Sequence, residues 1–252
     1  MKKCAALAIA ALAVTAGSAF AEEEAFQVDT EVGVLSHYVW RGMVLDEKPV
    51  MQGNVTVSHE TGFFADVWFN NALSESSDMT GEAELNEIDY TVGYASTYKS
   101  IDYSAGAIVY AFPNDSDEDT TYELFMTAAL NDQIVTPYFE LYTDINEVNG
   151  VYAKLGVEDD IEISDALTLT VGASIGYGSD QFNEGYFGDE DSALLDGSVY
   201  ASASYALSAQ AALNGSLAYS KLVDGGVGDL ADDGEYASDN ALVAGVSYSY
   251  NF

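Results

Sequence analysis

Along most of this 252-residue chain apolar and polar residues alternate one for one, the period of strands with one apolar and one polar face. The stretch Ala241 to Phe252 shows it plainly: Leu242, Ala244, Val246, Tyr248, Tyr250 and Phe252 share one face, and small or polar residues share the other. Eleven similar runs precede it, at Val28 to Arg41, Val50 to Ser58, Phe63 to Asn71, Leu85 to Ala95, Asp102 to Phe112, Tyr122 to Leu130, Val135 to Tyr142, Val151 to Glu158, Leu167 to Tyr177, Leu195 to Tyr205 and Gln210 to Ser220. The seventh is the weakest strand of the set, because Pro137 cannot donate to a ladder. Short turns such as Glu60-Thr61-Gly62, Asp159-Asp160 and Ala206 to Ala209 alternate with longer acidic connections, Ser179 to Ala193 and Leu222 to Asn240 being the longest. An even number of strands with short turns at one end and long loops at the other predicts an all-β fold, a transmembrane antiparallel up-and-down β-barrel of twelve strands.

Outward aromatics are then expected in two belts at the membrane interfaces. Trp40, Phe69, Tyr122, Tyr177 and Tyr219 fall at the loop end, and Phe63, Tyr94, Tyr103, Tyr205, Tyr250 and Phe252 at the end carrying the termini. A soluble sandwich has no reason to sort them this way. No later stretch approaches the roughly 20 apolar residues that a membrane helix needs.

Residues 1–21 combine Lys2 and Lys3, an apolar run from Ala5 to Val14 and a small-residue end at Ala19-Phe20-Ala21, the pattern of a cleaved secretory signal peptide. Residues 22–252 are then expected as a single barrel domain without cysteine, since Cys4 precedes the apolar run; disulfide frameworks and thiolate sites drop out. In that part 42 acidic residues face only Arg41, Lys48, Lys99, Lys154 and Lys221, which repels nucleic acid. So strong a charge would suggest disorder, but 18 Tyr, 11 Phe and only 3 Pro argue against it.

The run from Ser36 to Asn71 carries Ser36, Tyr38, Trp40-Arg41-Gly42, then Pro49 and Gln52-Gly53, then Thr61-Gly62-Phe63-Phe64-Ala65-Asp66-Val67-Trp68. It resembles the amino-terminal hallmark of the TorF-like family of bacterial outer-membrane porins, of the form Ser-x-Tyr-x-aromatic-Arg-Gly followed by Pro-x-x-Gln. His37 stands where that family often has an acid. The resemblance implies a barrel in the outer membrane of a Gram-negative bacterium, with a pore of undefined cargo. The last strand likewise resembles the closing strand of such barrels, which implies Tyr248, Tyr250 and Phe252 as the signal read by the barrel-assembly machinery.

On the barrel reading the pore-lining set is Asp29, Glu31, Arg41, Asp66, Glu87, Asp89, Asp102, Glu123 and Lys154, joined by Glu140, Glu158 and Asp196. An acidic lining favours cations and small hydrophilic solutes. Asp66, Glu87 and Asp89 sit near mid-height as a candidate constriction; a solvated lining without selectivity is the alternative. Arg41 reads either as a counter-ion for neighbouring acids or as a selectivity residue. Twelve strands leave a narrow or partly plugged passage, with the small residues of strands nine to eleven as the water path.

Asp115, Asp117 and Asp119 have the opening spacing of a calcium loop, but Thr120 replaces the required Gly and Met126 the closing Glu. Calcium or magnesium held there, shared with lipopolysaccharide phosphates, stands beside plain solvated charge. No other cofactor is expected. An acyl hydrolase needs Ser activated by His. The two histidines, His37 and His59, lack a partner at a recognisable spacing, so a non-enzymatic barrel is expected. The alternative to a pore is a non-conducting structural or surface-receptor barrel whose acidic outer loops bind divalent cations.

Overall fold

The computed structural model describes residues 25–74, 85–114, 120–131, 133–223 and 238–252. The expected signal peptide at 1–21 and the Asp115, Asp117, Asp119 triplet lie outside them.

Twelve strands close into an antiparallel barrel: β1 (Phe26–Leu35), β4 (Val50–His59), β5 (Phe63–Ala72), β6 (Leu85–Tyr98), β7 (Ile101–Ala111), β8 (Thr121–Leu130), β9 (Thr136–Asp144), β10 (Val151–Ser164), β11 (Leu167–Gly178), β12 (Ala193–Ala206), β13 (Ala211–Leu222) and β14 (Asn240–Asn251). Each pairs with its sequence neighbours, and β14 returns to β1, with Asp29 opposite Asn251 and Leu35 opposite Gly245. Closure leaves no open edge, so each strand's backbone groups are paired from both sides. Pro137 fits because pairing of β9 with β8 begins only at Tyr138, so Pro137 sits where that ladder has not yet started.

Alternation sorts the two faces. Val32, Val55, Val67, Val92, Leu124, Leu155, Val199, Leu217 and Val246 are all exposed on the outside, an apolar band that water would not tolerate but lipid would. Phe63, Tyr94, Tyr103, Tyr205 and Phe252 are exposed at the end carrying the termini, and Tyr122, Tyr177 and Tyr219 at the loop end. These positions agree with the expected belts.

Three elements depart from the sequence reading. The first strand does not continue to Arg41. It stops at Leu35, and a small hairpin follows, β2 (Tyr38–Trp40) and β3 (Met43–Asp46), which forms a two-stranded sheet of its own. Trp40 is therefore buried inside the barrel and not in the outer belt. Second, Asp159 and Asp160 do not form a turn: β10 runs on to Ser164, and Asp160 accepts a hydrogen bond from Thr170 at 2.6 Å. The strand gains several residues because Ile161 and Ile163 keep the outward apolar phase. Third, the connection after β11 contains a helix, α1 (Asp180–Phe187). Ser179 caps its first turn by accepting from Phe182 N, and Gly188 ends it in the left-handed region at φ 71°.

Inside, aromatic rings lie over glycines of the adjacent strand. Phe64 covers Gly93, Phe125 covers Gly106, Tyr138 covers Gly156, Tyr200 covers Gly172 and Tyr152 covers Gly176. A side chain at any of these glycines would meet a ring atom within 2.2–2.8 Å, so the glycines are the space that the rings occupy. Of the three strands expected to line a water path, β11 to β13, the first has Gly172 and Gly176 under Tyr200 and Tyr152, whereas a Cβ at Gly215 of β13 would meet nothing within 4 Å. Gly106 is the tightest against backbone, its added Cβ lying 2.2 Å from the Val92 carbonyl oxygen and 2.8 Å from Gly93 Cα. Gly106→Val is expected to cost at least about 1–3 kcal/mol, read as loss of the compact, heat-modifiable band on unboiled gels. Gly215→Ala, with nothing within 4 Å, is the matched control and is expected to migrate as wild type.

Candidate functional site

The hairpin formed by β2 and β3 is folded inward and fills the loop-end half of the lumen. Tyr38, Trp40 and Met43 join Val50, Phe64, Phe125, Tyr142, Tyr152, Leu195 and Leu222 from the barrel wall, and Phe182 and Phe187 from α1, in one buried cluster. The other face of the hairpin packs Val39 and Val44 on Ala241 and Val243 of β14. Wall, hairpin and helix therefore share a core where an open pore would have water.

The hallmark residues are the anchors of this plug. Ser36 fixes its entry, its N donating to Ala244 O at 2.8 Å and its Oγ accepting from Ala244 N at 2.9 Å. Tyr38 Oη donates to Glu87 Oε2 at 2.8 Å. Arg41 makes a two-pronged bond to Glu123, Nη1 to Oε1 at 2.7 Å and Nη2 to Oε2 at 2.6 Å, and Tyr110 Oη donates to the same carboxylate at 2.7 Å. Planar fork on planar carboxylate is the strongest arrangement available to such a pair. The guanidinium also lies 4.3–5.5 Å from the rings of Trp40, Tyr142, Tyr152 and Phe182.

The hairpin turn is equally constrained. Arg41 and Gly42 both have positive φ, 48° and 86°, and a Cβ on Gly42 would lie 2.6 Å from Asp196 and 2.7 Å from Leu222. Downstream, Gln52 donates to Asn70 at 2.9 Å and Asn70 to Asn86 at 2.7 Å, linking β4, β5 and β6 just beside the plug.

Charge is unevenly matched here. Burial by itself would lower the Arg41 pKa, but the facing Glu123 outweighs it and holds the guanidinium charged above its ordinary value. Burial, then the charges of Glu87 and Asp89, push the Tyr38 phenol well up, so it stays a donor. Lys154 pairs with Glu140 at 3.2 Å. Beside these two bases, Asp66, Glu87, Glu123, Glu140, Asp144 and Asp196 are all buried.

The predicted lining residues fall on the inner face, in two levels. Glu87, Asp89, Glu123 and Lys154 lie in the plugged half or at its border. Nearer the termini, Asp29 accepts from Gln27 at 2.9 Å and Asn251 at 2.6 Å, and Glu31 accepts from Ser247 at 2.5 Å while remaining exposed. Asp102 accepts from Thr97 at 2.6 Å and from Asn131. This half carries polar side chains, some partly accessible and others, such as Ser104, Thr170 and Ser202, buried. At its rim Phe252 N donates to Val28 O at 2.9 Å and the rings of Tyr250 and Phe252 meet at 4.7 Å, while Tyr248 faces outward.

Sequence reasoning allowed a partly plugged passage but missed that the hairpin after β1 forms the plug, and missed its aromatic cage. The available signal was Tyr38-Val39-Trp40, three bulky residues in a row where a half-buried strand should alternate, followed by a glycine turn. It also missed a contact: His37 Nδ1 lies 2.8 Å from Ser36 Oγ. That hydroxyl already accepts from Ala244 N, so the serine acts as a strand pin. His59 Nδ1 lies 2.7 Å from Thr61 Oγ1 at a turn.

A closed twelve-stranded antiparallel barrel with an apolar exterior is the fold of outer-membrane porins, and the comparisons agree. The KdgM porin, solved in complex with disordered oligogalacturonate, superposes with a TM-score of 0.56 at 10% identity over 90% of this chain and 99% of that one. An outer-membrane channel from Pseudomonas putida F1 gives 0.55 at 11% identity over 92% and 97%, and the NanC porin 0.51 at 11% over 88% and 98%. By sequence, residues 19–205 match a family described as bacterial protein of unknown function (Gcw_chp), and the chain belongs to that family. No curated protein matches the sequence.

Proposed function

We propose that the protein is an outer-membrane channel of the TorF-like type, passing small hydrophilic solutes and favouring cations, with its passage narrowed by the inward hairpin. The observation that carries this reading is the charge balance of the lumen. Its two bases are each already bonded to an acid, Arg41 to Glu123 and Lys154 to Glu140, while the inner-face acids Asp66, Asp102 and Glu31 are bonded only by neutral donors, so acids outnumber bases along the lumen. The apolar exterior and the superposed porins support the membrane setting, with the termini on the periplasmic side and Tyr248, Tyr250 and Phe252 offered to the assembly machinery. The arrangement supports a non-enzymatic role, since the Ser36–His37 contact serves strand pairing. Divalent cations at the acidic outer loops, bridging to lipopolysaccharide, remain part of the proposal.

Planar bilayers under a KCl gradient test it. The expected reversal potential lies on the potassium side, and the preference falls when Asp66 and Asp89 are changed to Asn together. A reversal potential on the chloride side would refute the charge argument. A bilayer that stays silent with folded protein at several salts would favour the structural or receptor barrel.

A further inference from the structure

Beside the plug, Asp66, Trp68 and Asp89 are neighbours on the inner face of β5 and β6, with Trp68 packed against the plug's buried cluster. Asp66 and Trp68 are two residues apart on the inner face of β5, and Trp68 is paired across the ladder with Asp89 of β6. Asp66 is only 2% exposed. Its Oδ1 accepts from Asn54 at 3.0 Å and Thr56 at 2.5 Å, but its buried Oδ2 has no donor. Asp89 Oδ1 is likewise buried without a donor. A buried carboxylate oxygen left this way carries a desolvation cost that a ligand donor would offset.

The neighbouring acids cannot share their partners, because Glu87 already accepts from Tyr38 and Glu123 is held by Arg41 and Tyr110. The chemistry of the missing donor follows from what surrounds the two oxygens. Among the described residues no set of three His, Cys, Asp or Glu side chains is placed to hold a metal ion. The Trp68 indole shares their inner face, paired across the ladder with Asp89 and lying 5.8 Å from the Tyr38 ring. Carboxylates beside an aromatic wall suit an ion that has N–H donors and an alkyl body, since the N–H groups bond the acids and the alkyl carbons pack on the ring.

We infer that Asp66, Trp68 and Asp89 form a binding site for a small organic ammonium ion. This deepens the cation-channel reading, which it needs only for access to the lumen. Bound there, the ion would sit beside the plug, next to Trp68.

The test is saturation-transfer NMR on the detergent-solubilised full chain with n-butylammonium chloride at fixed ionic strength. Saturable binding is expected, with contacts from the butyl protons to indole protons, and butan-1-ol is expected to give none. Asp66→Asn and Asp89→Asn are each expected to weaken binding about tenfold or more, about 1.4 kcal/mol. Asp102→Asn, whose oxygens take Thr97 and Asn131, is expected to leave it unchanged. Binding that ignores both substitutions, or that equimolar sodium abolishes, would overturn the site in favour of loose counter-ions. If a variant loses its folded band, the indole contact in the unaltered protein decides alone, and its absence also overturns the site. Because binding is read in micelles, a silent barrel that binds the ion sinks the channel and spares the site. A conducting barrel that does not bind does the reverse.

Discussion

Arg41→Ala is expected to raise single-channel conductance several-fold and to destabilise the barrel by about 3–5 kcal/mol, the usual cost of removing one member of a buried ion pair. Glu123 is 1% exposed and would lose both prongs of the guanidinium, keeping only the Tyr110 hydroxyl. The plug would lose the one bond set that crosses from the hairpin turn to β8, and with it the ring contacts to Tyr142 and Tyr152 on β9 and β10. Bilayer recordings and thermal melts of the same preparation check the two effects together. The double change Arg41→Met with Glu123→Leu separates them: with neither charge of the pair left unpartnered, stability is expected to return close to wild type while the plug stays seated. Unchanged conductance in Arg41→Ala would mean that the hairpin holds its place by packing alone.

A comparable cost is expected for Trp40→Ala, about 3–5 kcal/mol for a buried indole, but its effect should spread to a different element. Trp40 touches Tyr110 on the wall and also Phe182 and Tyr186 of α1, at ring separations of 6.3, 6.0 and 5.0 Å. Removing it takes away the platform on which the helix rests, so amide exchange across Asp180–Phe187 is expected to accelerate while the strands remain protected. Phe182→Ala would open the same contact from the other side, and because the two residues touch, the double variant is expected to cost less than the two single costs added together. Simple additivity would show that plug and helix are independent lids.

The predicted and observed barrels differ where the chain leaves the wall. Each of the twelve strands could be located from alternation, and the inward position of Asp66, Glu87, Asp89, Glu123 and Lys154 followed from the same phase. Alternation says which face of a wall a residue takes; it carries nothing about a segment that leaves the wall. Trp40 illustrates the point, because an apolar residue satisfies the outer lipid face and a packed interior equally well. The meaning of the Ser36 to Gln52 hallmark was hidden for the same reason. Its residues bond to Glu87, Glu123, Asn70 and Ala244, partners 18 to 208 positions away.

Strand number, direction and facing, and the excess of acidic over basic residues, were therefore determined by the sequence by itself, because each follows from a period of two and a count of charges. Only the tertiary structure decided that the lumen is half filled, that Arg41 serves as a lock on Glu123, and that rings of one strand occupy the glycines of the next. Those facts depend on contacts between distant segments brought together by closure of the sheet, and no local pattern encodes which distant residue will stand opposite.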